Sequence, residues 1–208
     1  LFKEQEGSFL VGFIAGKATK TNHVGFVGGV ESPVIGRFEA GFRAGVKAAN
    51  PDAVVDVVYA AAFDDATRGK DIALTMFNTG ADVVFHAAGG TGQGVIEAAK
   101  EKNLFAIGVD SDQNHLAPNN VITSMIKRVD VAVFEVIKQT VEGNFPGGET
   151  VRLGLAEDGV GYADSTLWDK MPEGTKAEVD KWAQAIKEGK VVVPETPEEA
   201  DTWTAPAL

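Results

Sequence analysis

The chain has 208 residues, enough to bury a core in one large domain or in two small lobes. Its 19 Lys and Arg stand against 30 Asp and Glu, a net charge of −11, so a phosphate backbone would be repelled and nucleic-acid binding is excluded. With no cysteine there is no disulfide, thiolate metal site or cysteine nucleophile, and no apolar run approaches the roughly 20 residues that a bilayer span requires.

Leu1 is not a natural start, and "EGSFLVGFIAGKATK" predicts a helix almost at once, over residues 7–20, with Phe9, Leu10, Phe13 and Ile14 on one side. The chain is therefore expected to open in the middle of an architecture. "HVGFVGG" is a short apolar run ended by glycines, the pattern of a buried parallel strand feeding a tight turn. A helix follows with Phe38, Phe42, Val46 and Ala49 on its face, stopped by Asn50-Pro51. The unit then repeats. "AVVDVVYAA" reads as a strand, and "DDATRGKDIALTMFNTG" as a helix striped by Ile72, Ala73, Met76 and Phe77 and closed by Gly80. "ADVVFHAAGG" and "LFAIGVDSD" are strands flanking the helix "GQGVIEAAKEKN". "VITSMI" is a further strand, before a helix carrying Val133, Phe134, Ile137 and Val141. From Asn144 the chain becomes loop-rich ("NFPGGE", "EDGVGYADS") until Val179, Trp182, Ala183 and Ile186 mark a last amphipathic helix, and the tail "PETPEEADTWTAPAL" reads as extended or frayed. Strand alternating with helix specifies an α/β fold, a doubly wound parallel sheet with right-handed crossovers.

In such sheets ligands bind beyond the carboxyl ends of the strands. That rule selects Gly28 and Gly29, then Ala62 and Phe63, then Gly89, Gly90, Thr91 and Gly92, then Asp110, then residues 124–127 ending in Lys127. A ring, bare backbone, a carboxylate and an ammonium suit a small polar ligand with a flat part. Each residue also has a plainer use. Gly28-Gly29 serves a tight turn equally well, Phe38 is in register with Phe42 and fits a core, and Asp110 could cap a loop. Phe63 lies past its strand's end, as a lid over the core or as a stacking platform.

Several chemistries are weakened by what is missing. "GGTGQG" has Val95 where a dinucleotide fingerprint needs its third glycine, although Asp110 falls 20 residues beyond Gly90 as a ribose-binding acid would. "DSDQNH" mimics a calcium loop, but His115 replaces the turn glycine and Val121 the bidentate Glu. His23, His86 and His115 are unclustered. Lys127 is read as starting a helix, whose positive end should repel a cation, so it calls for a ligand or an anionic neighbour such as Asp110. No nucleophile elbow, zincin motif or Walker loop is present, so no catalysis, no metal and no cofactor is expected.

The series "HVGFVGGVESPVIGRFEAGFRAG", "AAFDDATRGKDIA", "GADVVFHAAGGTGQGVIEAA", "AIGVDSDQ", "TSMIKRVDVAVFEVI" and "EGNFPGGETVRLGLAEDGVG" resembles the basic membrane lipoprotein family, the PnrA-like purine nucleoside receptors of ABC importers. The likeness runs over about residues 7–162. It implies a type I periplasmic-binding-protein fold of two parallel-sheet lobes closing on a purine nucleoside or nucleobase, with an ABC transporter permease as partner. Residues 1–22 would finish the amino-terminal lobe, 23–120 form the carboxy-terminal lobe, 121–165 return to the first, and 166–208 add the last helix and tail. Phe63 would stack on the base, Gly89, Gly90, Thr91 and Gly92 would pass its edge, Asp110 would hold ribose hydroxyls, and Lys127 would reach the sugar or base; Phe38 is counted with them as a ligand-binding candidate. The resemblance also implies that the first part of the amino-terminal lobe, with its own ligand contacts, lies outside these residues. A signal segment and lipid anchor of a periplasmic or cell-surface lipoprotein would lie there too. A ribose-type sugar receptor, the effector half of a transcriptional regulator and an NAD-dependent enzyme are the competing readings.

Overall fold

A computed structural model describes residues 1–145 and 147–208. Valine-rich segments build five parallel strands, β1 (His23–Gly28), β2 (Val54–Tyr59), β3 (Val83–Ala87), β4 (Phe105–Asp110) and β5 (Val121–Lys127). A short β6 (Val160–Tyr162) pairs antiparallel with β5, and the order across the sheet is β2-β1-β3-β4-β5-β6. β3 is wholly buried, as expected of an interior parallel strand, whereas the edge strand β2 is half-buried. The α-helices among the described residues are α1 (Glu4–Ala18), α2 (Pro33–Ala49), α3 (Ala66–Asn78), α4 (Thr91–Lys102), α5 (Val129–Val141), α6 (Thr175–Lys187) and α7 (Pro197–Thr202). Local signals set their starts. Ser32 caps α2 ahead of Pro33, and Asp65 caps α3 by accepting the Arg68 amide at 2.9 Å.

Alternation along the strands divides the core. Val83, Phe85 and Ala87 face α1, α2 and α6, while Val84 packs with the apolar residues of α3 and α4 on the other side. Because β2 lies outside β1 and β3 inside it, the chain reverses direction between β1 and β3. Helices on opposite faces leave a crevice there at the carboxyl ends.

Some expectations are corrected by the packing. α1 is buried on nearly all sides rather than on one, because it is wedged between α2, the β5–β6 edge and α6. A Cβ on Gly12 would strike the Phe42 carbonyl, and one on Gly45 the Phe9 carbonyl, so glycine lets the two backbones touch. α1 packs on α2, and β5 continues the sheet of β1 to β4. Among the described residues there is one six-stranded sheet. Within the loop-rich stretch, "EDGVGYADS" contains β6, and in "NFPGGE" Pro146 lies outside the described residues. The tail is not frayed: Thr196 caps α7, Arg43 bonds Asp201, and the Trp203 ring sits 5.7 Å from Phe9.

α5 stands apart. None of its residues is buried, and Phe134 and Val141 are 63% and 83% exposed. Its base is near a bundle of chain crossings. Residues 1–3 run beside 151–153, with the Lys3 amide donating to Leu153 O at 2.9 Å, and the Arg128 amide donates to Gly159 O at 2.8 Å. No described helix is long and apolar enough to cross a membrane.

Candidate functional site

The crevice end of β1 explains the double glycine. The Phe63 ring lies directly on Gly29, where any Cβ would overlap it, and Tyr59 and Ile35 crowd Gly28. Phe63 reaches this position because the β2–α3 loop is fastened from beneath. The Thr91 hydroxyl donates to Ala62 O at 3.2 Å and accepts the Asp65 amide at 2.9 Å, while the Thr91 amide donates to Phe63 O at 3.2 Å. The ring is consequently fixed on one face and 45% exposed on the other. Thr91 and Gly92, expected along the ligand's edge, are buried and serve the protein instead, whereas Gly89 and Gly90 are exposed beside the Phe63 backbone.

Two strands along, Asp110 ends β4 with φ +66°, a left-handed conformation that costs a non-glycine residue of order 1 kcal/mol or more. The turn is closed by the Ser111 amide, which donates to Val109 O at 2.8 Å. Asp110 Oδ1 accepts from Lys127 Nζ at 2.9 Å, and its side chain is still about half exposed, so the second oxygen can accept from a ligand. Lys127 is the last residue of β5 rather than the start of a helix; Arg128 occupies the cap of α5 and is answered by Asp130 at 3.2 Å. The ammonium also lies 5.7 Å over the Phe38 ring. Phe38 itself is 2% exposed within the core, so it reaches this face only through Lys127.

Sequence reasoning passed over the support under Asp110. His86 stands alone in an apolar strand, on the face turned toward α4, and it is completely buried. Its Nε2 is 2.9 Å from Gln113 Oε1, and that oxygen also accepts the Val109 amide at 2.9 Å. The Gln113 amide in turn donates to Ser124 Oγ at 3.0 Å. A side chain on Gly92 would overlap the imidazole, so this glycine makes room for His86. Burial holds the His86 pKa down to about 4, outweighing the Gln113 bond and the Asp110 charge, which both raise it. The signal was a lone polar residue at an inward position of a valine strand. His23 pairs with Asp56, His115 lies against Asp112 O, and no cluster of metal-ligating side chains occurs among the described residues.

These pieces share one edge of one sheet and open to solvent. A cavity of about 690 Å³ lies apart from them by Trp168 and Lys176, and one of about 640 Å³ lies by Ser32, Arg37 and Tyr59. The doubly wound sheet has the fold of a type I periplasmic binding protein, with a half-exposed ring and an ion-paired carboxylate at its carboxyl edge. Residues 1–196 match the family model described as ABC transporter substrate-binding protein, PnrA-like, and the chain belongs to that family. The chain is 47% identical over 212 residues to the CD4+ T-cell-stimulating antigen of Listeria innocua, covering 94% of this chain and 59% of that one. It is 41% identical to the ABC transporter nucleoside-binding protein BmpA of Lactococcus lactis, with 93% and 59% covered. A solved ABC-transporter solute-binding protein from Aeropyrum pernix superposes with a TM-score of 0.82 at 32% identity, covering 97% of this chain and 68% of that one. The chain thus spans about 59% of the length of these curated relatives.

Proposed function

We propose that this chain supplies one gripping face of a receptor that captures a purine nucleoside or nucleobase outside the cytoplasm and hands it to an ABC permease. The observation that carries the reading is the Phe63 ring, fixed on Gly29 with its outer face bare, on the sheet edge that also holds the Asp110–Lys127 pair. Stacking a base on such a ring contributes about 1–3 kcal/mol. A ribose hydroxyl donating to the free Asp110 oxygen adds roughly 1.5–3 kcal/mol. Lys127 neutralises the carboxylate in part and presents its remaining N–H donors to the sugar or base, and the peptide edges of Gly89 and Gly90 pass beside it. The receptor binds and releases; no bond is made or broken. The name of the Lactococcus relative supports a nucleoside as cargo. The membrane is reached through a lipid anchor beyond these residues.

A ribose-type sugar receptor would use the same ion pair but has less need of the ring. Calorimetry on the full-length protein distinguishes the two. Asp110→Ala is expected to weaken adenosine or guanosine binding about tenfold or more, with the melting temperature retained. Free nucleobase should compete and ribose should not. Unchanged nucleoside affinity in the variant, or competition by ribose alone, would overturn the reading.

A further inference from the structure

We propose that His86, acting through the side chain of Gln113, is a positioning residue that holds the Asp110 carboxylate in its binding geometry; this rests on Asp110 being a ligand contact. The backbone at Asp110 is strained, so a left-handed turn at φ +66° relaxes unless the segment after it is tied down. The tie is Gln113. Its Oε1 accepts from the Val109 amide just before Asp110, and its own amide donates to Ser124 Oγ on β5, clamping both sides of the turn onto the sheet. The Val109 amide can only donate, which assigns that Gln113 atom as oxygen; His86 Nε2 must then carry the proton that it donates to the same atom. His86 is the one side chain that anchors Gln113 from β3, and it does so from a completely buried position.

The energetics favour a positioning role over simple packing. His86 Nδ1 is buried with no hydrogen-bond partner, against the α carbon of Gly92. An orphaned buried acceptor is costly, and an apolar side chain of similar volume would avoid that cost entirely. What an apolar residue could not supply is the Nε2–H. Gly92 lacks a side chain so that the imidazole fits, and Gly108 lacks one because a Cβ there would lie 2.7 Å from Gln113 Oε1. Two glycines therefore make space for one chain of hydrogen bonds that ends at the Val109 amide, one residue before Asp110.

The test is a double-mutant cycle on the full-length protein, with guanosine as the probe in calorimetry. His86→Leu is expected to weaken binding about fivefold or more in the native background and less than about twofold with Asp110→Ala already present, the coupling expected of groups that act together. Without ligand, hydrogen exchange at the Ser111 and Gln113 amides should accelerate about tenfold. Gln113→Glu keeps both acceptor contacts and should retain affinity within about twofold at pH 7.5. Should His86→Leu not fold, Gln113→Leu goes through the same cycle. Equal losses in the two backgrounds, or normal affinity with slow exchange, would overturn the positioning role. Loss on Asp110→Ala with none on His86→Leu removes this inference alone, whereas no effect of Asp110→Ala removes the nucleoside reading with it.

Discussion

Acidification should destabilise this protein through His86 in a window that its burial defines. The imidazole ordinarily titrates at 6.5 but is held to about 4 in the fold, chiefly by desolvation. Between those values the unfolded chain binds a proton that the native state refuses. The stability that depends on a neutral His86 is therefore complete above pH 6.5, is lost progressively as pH falls toward 4, and from this residue falls no further below that. At 1.36 kcal/mol per pH unit, the whole interval is worth about 3 kcal/mol, of which about 2 are gone by pH 5. The assay is urea unfolding of the wild type and of His86→Gln at pH 7.5 and pH 5. Glutamine does not titrate and keeps an N–H donor for Gln113. The wild type should lose about 2 kcal/mol more than the variant between the two pH values, after the shared response of the carboxylates cancels. Parallel losses would refute the reasoning and would mean that His86 is either already charged in the fold or in contact with water.

The two phenylalanines in the candidate site should respond in opposite ways. Phe38→Ala, in the core, should cost about 3–5 kcal/mol of stability, whereas Phe63→Ala should leave the melting temperature nearly unchanged and reduce nucleoside affinity by about 1–3 kcal/mol. Gly45→Ala should lower stability by about 2 kcal/mol or more in thermal unfolding, because its methyl would push the Phe9 carbonyl of α1 away from α2.

Five parallel strands and the helices between them were legible because each is an apolar run with its own period, bounded by caps and glycines. The carboxyl-edge rule then led to Phe63, Asp110 and Lys127, and charge logic to the Asp110–Lys127 pair, since a cation near a helix start needs an anion. Other features depend on partners distant in sequence. β6 has three residues and exists only because β5 offers an edge. α1 looks one-sided in sequence, but its glycines let α2 approach from the other side. α7 is a six-residue helix that would not form alone and is held by Arg43 and by Trp203 packing on Phe9. Thr91 and Gly92 sat in a glycine-rich string suggestive of a ligand, and only coordinates show that one fastens the Phe63 loop and the other yields to His86. A single histidine carries no spacing pattern, so its role became visible only with Gln113 beside it.

The same geometry says how affinity must arise on the proposed reading. Phe63 offers one face, and the Asp110 carboxylate is about half exposed beside Lys127, so solvent still weakens a bond to it. A nucleoside on this edge alone would be held by a fraction of the free energy its polar groups could give. Those contacts strengthen when an opposing surface excludes solvent, because lower effective dielectric raises each of them together. The crossings at residues 1–3, at Arg128 and at 151–159 lie side by side just where β5 ends and α5 departs. On that reading tight capture calls for a rigid half-site, and Gln113, bonded to the Val109 amide and to Ser124 on β5, supplies the rigidity beside Asp110.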